Sequence, residues 1–351
     1  MTGAGITLVT GANGFIGRHL VAHLRARGAR VRAALLPAED AGALSGADAE
    51  VVRADLTAPD SLPALFAGPV ERVFHLAAVC NLSTPYAALR RVNVDGVERL
   101  TALARAAGVR VFVHMSSTSV YGPYRGQPFV ESAPREPQDD YGRSKRDGED
   151  VVWQRVREGL PAIVLRPCTV YGSGCTDGAG KVFSRPTSLS AIPGSGRQRL
   201  ANVRVEDVAA AAEHLAQRAE AVGQAFNLAD DSRPTIAEAL ALAAAAFGTR
   251  APRLHLPLAL VAAVARVQGM VARRRGRIPD LELDAVRYLD ADYVVDNSKL
   301  KAAGYRLRYP DFAASMREMG ERYAAARLCP PGRKRTMDYT DHTDGSRTVE
   351  R

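Results

Sequence analysis

Paired cysteines and long apolar runs are missing from this sequence, and their absence excludes several classes of protein. The 351 residues contain only four cysteines, and no two of them have the C-x-x-C spacing of zinc sites and redox motifs. Neither a disulfide framework nor a metal site is expected, and a reducing cytoplasm fits best. No run of 18 apolar residues occurs, and the first strand-like segment begins at Ile6, so neither a signal peptide nor a membrane span is predicted.

Acidic residues are outnumbered, but the positive excess is diffuse. The formal net charge is +9, yet arginines are spread along nearly every segment, and no element interleaves basic with aromatic residues as nucleic-acid-binding surfaces do. A nucleic-acid partner is therefore not expected, whereas a phosphate-rich small molecule suits this charge balance. With 46% hydrophobic and 24% charged residues, the composition is that of an ordinary soluble protein.

Short apolar runs alternate with helical patterns through the first half of the chain. Strands that alternate with helices predict a parallel sheet with right-handed crossovers, so the expected fold class is α/β, a Rossmann-type doubly wound parallel sheet. The predicted strands are Ile6–Thr10, Val31–Leu36, Val51–Ala54, Val73–Ala77, Val111–Met115 and Ala162–Leu165. The predicted helices are Ile16–Ala26, Ala87–Ala107 and Tyr141–Glu158.

After Tyr171 the sequence becomes rich in Gly, Ser and Pro, and then mainly helical, with a helix expected near Val205–Arg218. We predict a cofactor-binding domain over residues 1–172, to which later segments return, and a smaller, mainly helical substrate-binding part over residues 173–328. Residues 329–351 have too few apolar side chains to offset the entropy of ordering, and they are predicted to be a disordered tail.

A glycine-rich loop follows the first predicted strand and opens the first helix. Its glycines allow a tight turn and a close approach of backbone amides to a pyrophosphate at the helix N-terminus. Such a loop alone is a weak signal, because a simple strand-to-helix turn has a similar composition. Its position at the first strand–helix junction favours cofactor binding by Gly11, Asn13, Gly14, Phe15, Ile16 and Gly17.

Two further candidate segments follow the third and fourth predicted strands. Asp55, with Leu56, stands where a carboxylate can accept a hydrogen bond from an adenine amino group, although a turn aspartate is an equally good interpretation. Leu76, Ala77 and Ala78 follow His75, and small residues there permit close approach to a cofactor, although tight core packing explains them equally well. Only their order along the chain makes them informative.

Ser117, Tyr141 and Lys145 are the candidate catalytic residues. Ser117 follows the fifth strand, at the carboxyl edge where doubly wound sheets bind ligands. Tyr141 and Lys145 are one helical turn apart, so the ammonium is expected to lower the pKa of the phenol, which would otherwise be a poor base at neutral pH. Only five of the 47 basic residues are lysines, which favours a specific need for a compact charge at Lys145.

Taken in order, the segments TGANGFIG, Asp55–Leu56, HLAA, NVDG, SSTSVYG, YGRSK, LRPCTVYG and VRVEDVA resemble an extended short-chain dehydrogenase/reductase of the NAD(P)-dependent epimerase/dehydratase superfamily. The resemblance implies that Tyr141 exchanges a proton with a substrate oxygen held by Ser117, and that Lys145 binds the nicotinamide ribose. It also implies that Asn93 and the Arg166–Pro167 backbone seat the helix and the cofactor.

The sequence departs from relatives that act on nucleotide sugars. Thr169 stands where those relatives commonly have Asn, and Leu200 stands at the position of a diphosphate-binding Arg, although Arg197 and Arg199 are nearby. A leucine cannot pair with phosphate. We therefore predict hydride transfer on a secondary alcohol or ketone of a non-nucleotide substrate; the alternative is a nucleotide-sugar 4-epimerase or dehydratase that uses tightly bound NAD.

The sequence does not distinguish NAD from NADP. The second strand ends in Leu36 without an acidic ribose partner, and Arg18 or Arg32 are weak candidates for binding the 2′-phosphate of NADP.

The Ala-rich segment Leu254–Val271, followed by an arginine cluster, has the composition of a helix that lies at a membrane surface. An ordinary helix of the substrate-binding part is the preferred interpretation, so no membrane surface is expected, and a homodimer is the expected assembly.

Overall fold

The computed structural model describes residues 5–44, 48–176, 178–185, 191–275, 279 and 281–328. Its strands are β1 (Ile6–Thr10), β2 (Arg30–Leu35), β3 (Glu50–Arg53), β4 (Val70–His75), β5 (Val111–Met115), β6 (Ala162–Pro167), β7 (Thr169–Tyr171), β8 (Ala191–Pro193), β9 (Asn202–Arg204), β10 (Ala225–Leu228) and β11 (Leu254–Leu256). Its helices are α1 (Phe15–Ala26), α2 (Tyr86–Asn93), α3 (Asp95–Ala106), α4 (Asp140–Arg157), α5 (Val205–Ala216), α6 (Ile236–Ala246), α7 (Leu258–Arg274), α8 (Leu283–Arg287), α9 (Ser298–Ala302) and α10 (Phe312–Leu328).

The main sheet has seven parallel strands in the order β10-β6-β5-β4-β1-β2-β3. The chain order reverses between β1 and β4, which is the switch point where a doubly wound sheet forms its ligand crevice. Helices cover both faces, with α1 against α5 on one face and α2, α3 and α4 together on the other. Strands β1, β5 and β6 are buried along their whole length and are mostly apolar for this reason, and the predicted Rossmann-type fold is confirmed.

The predicted element boundaries hold to within a few residues, with two informative differences. Strand β4 ends at His75, so Leu76 to Ala78 lie in the loop beyond it. The single helix predicted over Ala87–Ala107 is divided into α2 and α3 at Val94, whose φ of −122° is not helical. The division follows Asn93, whose carbonyl oxygen would lie 2.4 Å from a Cβ added to Gly148 of α4. Close contact with α4 thus accompanies the break.

Later segments do return to the sheet, as the sequence predicted. Strand β10 pairs with β6, from Ala225 opposite Val164 to Leu228 opposite Pro167. Helices α6 and α10 pack against each other in a separate apolar cluster. The division into two domains stays a prediction, and the predicted disordered tail lies outside the described residues.

One C-terminal prediction was wrong in its boundary. The segment Leu254–Val271 is not one helix, because Leu254–Leu256 is strand β11, paired with β8, and α7 begins at Leu258 after Pro257. Proline lacks the N–H that a helix interior requires, which places it before the helix and not within it. Across the described ranges, no helix is long and apolar enough to cross a membrane.

Candidate active site

The glycine loop joins β1 to α1 at the switch point. Gly11 has a φ of +65°, and a Cβ placed on it would lie 2.7 Å from the amide nitrogen of Ala77. A Cβ on Gly17 would lie only 2.0 Å from the oxygen of Gly11. Gly14 differs from both, since its backbone is extended and its nearest neighbour, the oxygen of Gly11, would be 3.1 Å away. Gly11 and Gly17 are therefore required by close backbone packing, whereas Gly14 leaves open space above the loop.

The N-terminus of α1 fits a pyrophosphate. The amides of Phe15, Ile16 and Gly17 begin the helix and have no partner within it, and neither a capping side chain nor an acidic residue occupies that end. Asn13 donates from Nδ2 to the oxygen of Asp40 at 3.2 Å, while its buried Oδ1 has no hydrogen-bond partner among the described residues. Free amides, an unpartnered acceptor and the room at Gly14 together match a bound dinucleotide.

The ends of β1 and β4 are joined by side-chain hydrogen bonds. The hydroxyl of Thr10 lies 2.7 Å from Nδ1 of His75 and also accepts from the amide of Ala77 at 3.3 Å. Leu76 donates its amide to the oxygen of Thr10. The predicted segment Leu76, Ala77 and Ala78 therefore lies directly beside the glycine loop, and small side chains there keep the crevice open.

Asp55 and Leu56 have clear structural roles after β3. Oδ1 of Asp55 accepts from both the amide and the hydroxyl of Thr57 at 2.8 Å, which is an aspartate turn. Leu56 is buried against Gly96 of α3, where an added Cβ would approach within 2.9 Å. The turn interpretation of Asp55 is thus realised, and its second carboxylate oxygen is still available for an adenine.

Asn93 fastens the loop after β4 to α4. Its side chain accepts from the amide of Val79 and donates to the oxygen of the same residue, both at 2.9 Å. Nδ2 also donates to the hydroxyl of Ser144 at 3.0 Å, and Ser144 in turn donates to the oxygen of Tyr141 at 2.8 Å. This chain of bonds fixes the first turn of α4 relative to the cofactor crevice.

The three candidate catalytic residues converge above the carboxyl edge of the sheet. Asp139 caps α4 by accepting from the amide of Gly142 at 2.7 Å, and this cap fixes the helix start next to Tyr141. The side chain of Ser117 lies beside Tyr141 and lowers the pKa of its phenol. Lys145, one turn further along α4, is buried and donates from Nζ to the oxygen of Met115 at 2.7 Å. The fold therefore brings the three predicted side chains together.

Burial, and not Lys145, has the largest effect on the pKa of Tyr141. The pKa of Tyr141 is raised well above its ordinary value, first because burial disfavours the phenolate and second because of the neighbouring Cys80. Burial also lowers the pKa of Lys145, whose ammonium is directed to Met115. Spacing along a helix predicts proximity, but desolvation opposes the charge on both groups.

A buried ion pair ties α4 to β6. Arg166 donates to Glu149 through Nε at 2.9 Å and through a terminal nitrogen at 2.7 Å, and it also donates to the hydroxyl of Tyr121 at 2.9 Å. Both charged side chains are almost fully buried, so each one requires the other. Pro167, the last residue of β6, is buried beside this pair. The pair holds the helix that carries Tyr141 and Lys145.

Sequence reasoning missed Cys80 and Tyr288. Cys80 lies beside Tyr141, and the hydroxyl of Tyr288, which follows α8, donates to the second carboxylate oxygen of Asp139. Burial raises the pKa of Tyr288. No spacing signal links these residues to Tyr141, because loops distant in sequence bring them there.

Neither arginine proposed for a 2′-phosphate is placed for that role. Arg32 is buried and not outward, and its guanidinium donates to the oxygens of Leu65 and Ala67 and pairs with Glu50 at 3.0 Å. Arg18 reaches the oxygen of Gly174 at 3.4 Å. The cofactor is therefore NAD or NADP, with no selection made by these two side chains.

The fold, the glycine loop and the Ser–Tyr–Lys group define a nicotinamide-dependent enzyme of the extended short-chain dehydrogenase type. Residues 7–229 match the model of the NAD dependent epimerase/dehydratase family, and the chain belongs to this family.

Two relatives illustrate its range. Sterol demethylase protein B of Methylococcus capsulatus is 32% identical over 90% of this chain and 99% of its own. A 3-beta-hydroxysteroid dehydrogenase of Mycolicibacterium neoaurum is 29% identical over 74% of this chain and 75% of its own. The fold also matches the structure of Thermus thermophilus UDP-glucose 4-epimerase with NAD, with a TM-score of 0.73 at 23% identity over 92% of this chain and 99% of the other.

Proposed function

We propose that this enzyme transfers a hydride between NAD(P) and a secondary alcohol or ketone of an apolar, non-nucleotide substrate. The observation that carries the proposal is the convergence of Ser117 and Tyr141, with Lys145 held nearby by its hydrogen bond to the oxygen of Met115. The nicotinamide supplies or accepts the hydride when it is bound. An intact proton-transfer group also argues against a binding protein that has lost catalysis.

Each of the three side chains has a distinct role in this proposal. The Ser117 hydroxyl donates a hydrogen bond to the substrate oxygen, which would lie between Ser117 and Tyr141. Tyr141 donates a proton to that oxygen during ketone reduction and accepts it during alcohol oxidation. The raised pKa keeps the phenol protonated before cofactor binding, which is the form that reduction requires. Lys145 retains donor protons beyond the one given to Met115, and these would hold the ribose hydroxyls.

The surroundings of Leu200 support a substrate without a diphosphate. Leu200 packs against the apolar cluster that includes Ile192 and Ile236, and it offers no charge-assisted donor. The loop register is held on both sides, because Leu200 donates its amide to Pro234 at 2.9 Å and Tyr293 donates to Arg199 at 2.9 Å. A one-residue shift that would bring a neighbouring arginine to this place must break both bonds.

The relatives named after sterol and steroid substrates also support an apolar substrate. The structural similarity to a UDP-glucose 4-epimerase supports the alternative function. That alternative, a nucleotide-sugar 4-epimerase or dehydratase with tightly bound NAD, keeps its support from the exposed Arg197 and Arg199. Charge-assisted hydrogen bonds from either guanidinium would repay the desolvation of a diphosphate. The two functions therefore differ in a binding step that can be measured directly.

The deciding experiment titrates cofactor-loaded protein with UDP, dTDP and their hexose conjugates, and then screens sterols, isoprenoid alcohols and simple ketones with both cofactors at the nicotinamide absorbance. We expect weak nucleotide binding without turnover, and turnover of at least one apolar alcohol or ketone. Micromolar binding of a nucleotide that is lost in Arg197→Ala or Arg199→Ala would replace this proposal with the epimerase. The cytoplasmic location and the homodimer expected from the sequence stay predictions.

A further inference from the structure

Helix α7 exposes a continuous apolar stripe. Nine large apolar side chains are exposed among the described residues, and six of them lie between Leu254 and Val271. Leu260, Val264, Val267 and Val271 follow the helical spacing that places side chains on one face, and Val267 is 55% exposed. Met270, at 51%, borders the same stripe. Soluble surfaces scatter such residues singly, so their alignment marks an interaction surface.

The opposite face of α7 already has its partner. Val261 and Ala265 are buried, and they pack with Val286 of α8 in a small apolar cluster. The exposed stripe is therefore not required to hold the helix on the molecule. Arg266 and Gln268 lie between the two apolar faces, at exposed positions along the borders of the stripe.

The sequence segment that contains the stripe carries charge of one sign. Residues 239–279 contain seven arginines and no aspartate or glutamate. Arg266, Arg274 and Arg275 are exposed on or just after α7. An apolar stripe with basic borders is complementary to an anionic lipid surface, where acyl chains take the side chains and phosphate headgroups take the guanidinium groups. A second copy of α7 would bring only further positive charge to this face.

We propose that α7 docks this enzyme onto the surface of a bilayer that contains anionic phospholipids, with the stripe from Leu260 to Val271 inserted at the headgroup boundary. The sequence alone favoured an ordinary helix of the substrate-binding part over a membrane-surface helix. It does not show which of the two apolar faces of α7 is covered by the rest of the protein. The structure supplies that information, since Val261 and Ala265 face α8 and the stripe faces outward.

The docking face is connected through α8 to residues beside the active site. Helix α7 packs on α8, and the residues that flank α8 reach the catalytic region. Glu282 accepts from the amide of Ser83 at 2.6 Å, and Tyr288 bonds to Asp139, the cap of the helix that carries Tyr141. A membrane-bound enzyme would therefore hold its substrate-binding part, and not its cofactor loop, nearest to the lipid.

Vesicle co-sedimentation of the full-length protein tests the proposal, independently of turnover. We expect binding to vesicles of phosphatidylcholine mixed with phosphatidylglycerol, weaker binding at high salt, and little binding to phosphatidylcholine alone. Val264→Gln/Val267→Gln is expected to lower the partition coefficient about 10-fold. The matched control is Val51→Gln/Val130→Gln, which changes two valines of 38% and 41% exposure elsewhere on the surface and is expected to leave binding unchanged.

Three results would overturn the proposal. The first is a wild-type protein that stays in the supernatant with anionic vesicles. The second is equal loss of binding in the stripe variant and the control variant, with both shown to be folded by circular dichroism. The third is a wild-type dimer in solution that the stripe variant converts to a monomer, since the stripe would then pair two copies of the chain. None of these outcomes depends on the substrate proposed above.

Discussion

Nζ of Lys145 donates a 2.7 Å hydrogen bond to the main-chain oxygen of Met115, the last residue of β5. The bond joins the second turn of α4 to the carboxyl edge of the sheet. It holds a buried cation in one position before any cofactor arrives.

This relationship predicts the effect of Lys145→Met. The variant keeps most of the apolar stem and removes the charge, so we expect turnover to fall at least 100-fold and cofactor affinity to weaken as well, because both proposed roles are lost. Calorimetric titration with NAD and NADP, together with single-turnover kinetics, measures the two effects. Lys301→Met is the control, because its exposed ion pair with Asp231 contributes little. Unchanged cofactor affinity in Lys145→Met would contradict the ribose contact.

Tyr141→Phe separates chemistry from binding. The change removes the hydroxyl that Ser117 and Cys80 contact but keeps the ring, so turnover is expected to fall at least 100-fold while cofactor affinity changes by less than about 2-fold. Tyr86→Phe is a matched control, because it also removes a hydroxyl bonded to α4, at Asp147. Near-normal turnover in Tyr141→Phe would rule out its role in proton transfer.

Gly14→Val and Gly17→Ala are expected to fail for different reasons. Gly14 has an extended backbone with no close neighbour beyond the oxygen of Gly11, so the valine is accommodated by the fold but blocks the pyrophosphate. A Cβ on Gly17 collides with that oxygen at 2.0 Å, so this variant is expected to lower the melting temperature. Calorimetry and thermal denaturation together distinguish the two. A folded Gly14→Val protein with normal cofactor affinity would disprove the loop assignment.

Asp230→Asn is expected to stabilise the protein at neutral pH. Burial raises the pKa of this carboxyl to about 8, and its Oδ2 has no hydrogen-bond partner in the described part of the chain. A folded-state pKa above the unfolded value means that the unfolded state releases its proton first as the pH rises. The wild type therefore loses stability from about pH 4 to pH 8 relative to the variant.

We expect Asp230→Asn to gain about 2 kcal/mol at pH 7 and nothing near pH 4, measured by urea unfolding at both values. Asp311→Asn is the control, because it lies nearby on the surface and contributes only a small part of the shift. A gain of the same size at pH 4 would mean that packing, and not ionisation, explains the effect.

Local patterns predicted most of the main sheet. Apolar runs and glycine turns predicted β1 to β6 within a few residues, because the central strands are buried on both faces and are therefore mostly apolar. Helix α4 was predicted nearly in full, and with it the neighbouring positions of Tyr141 and Lys145. The break between α2 and α3 was not predictable, because it accompanies a contact with Gly148 that is distant in sequence.

Short motifs along the chain were enough to predict the family, the glycine loop and the candidate residues Ser117, Tyr141 and Lys145, because each motif is recognised from a few neighbouring residues. The tertiary structure was needed to show that the pKa of Tyr141 is raised, because this shift depends on burial and on Cys80. It also decided which face of α7 is exposed. A helix with two apolar faces has the same sequence pattern whichever face is covered, and only packing against α8 distinguishes them.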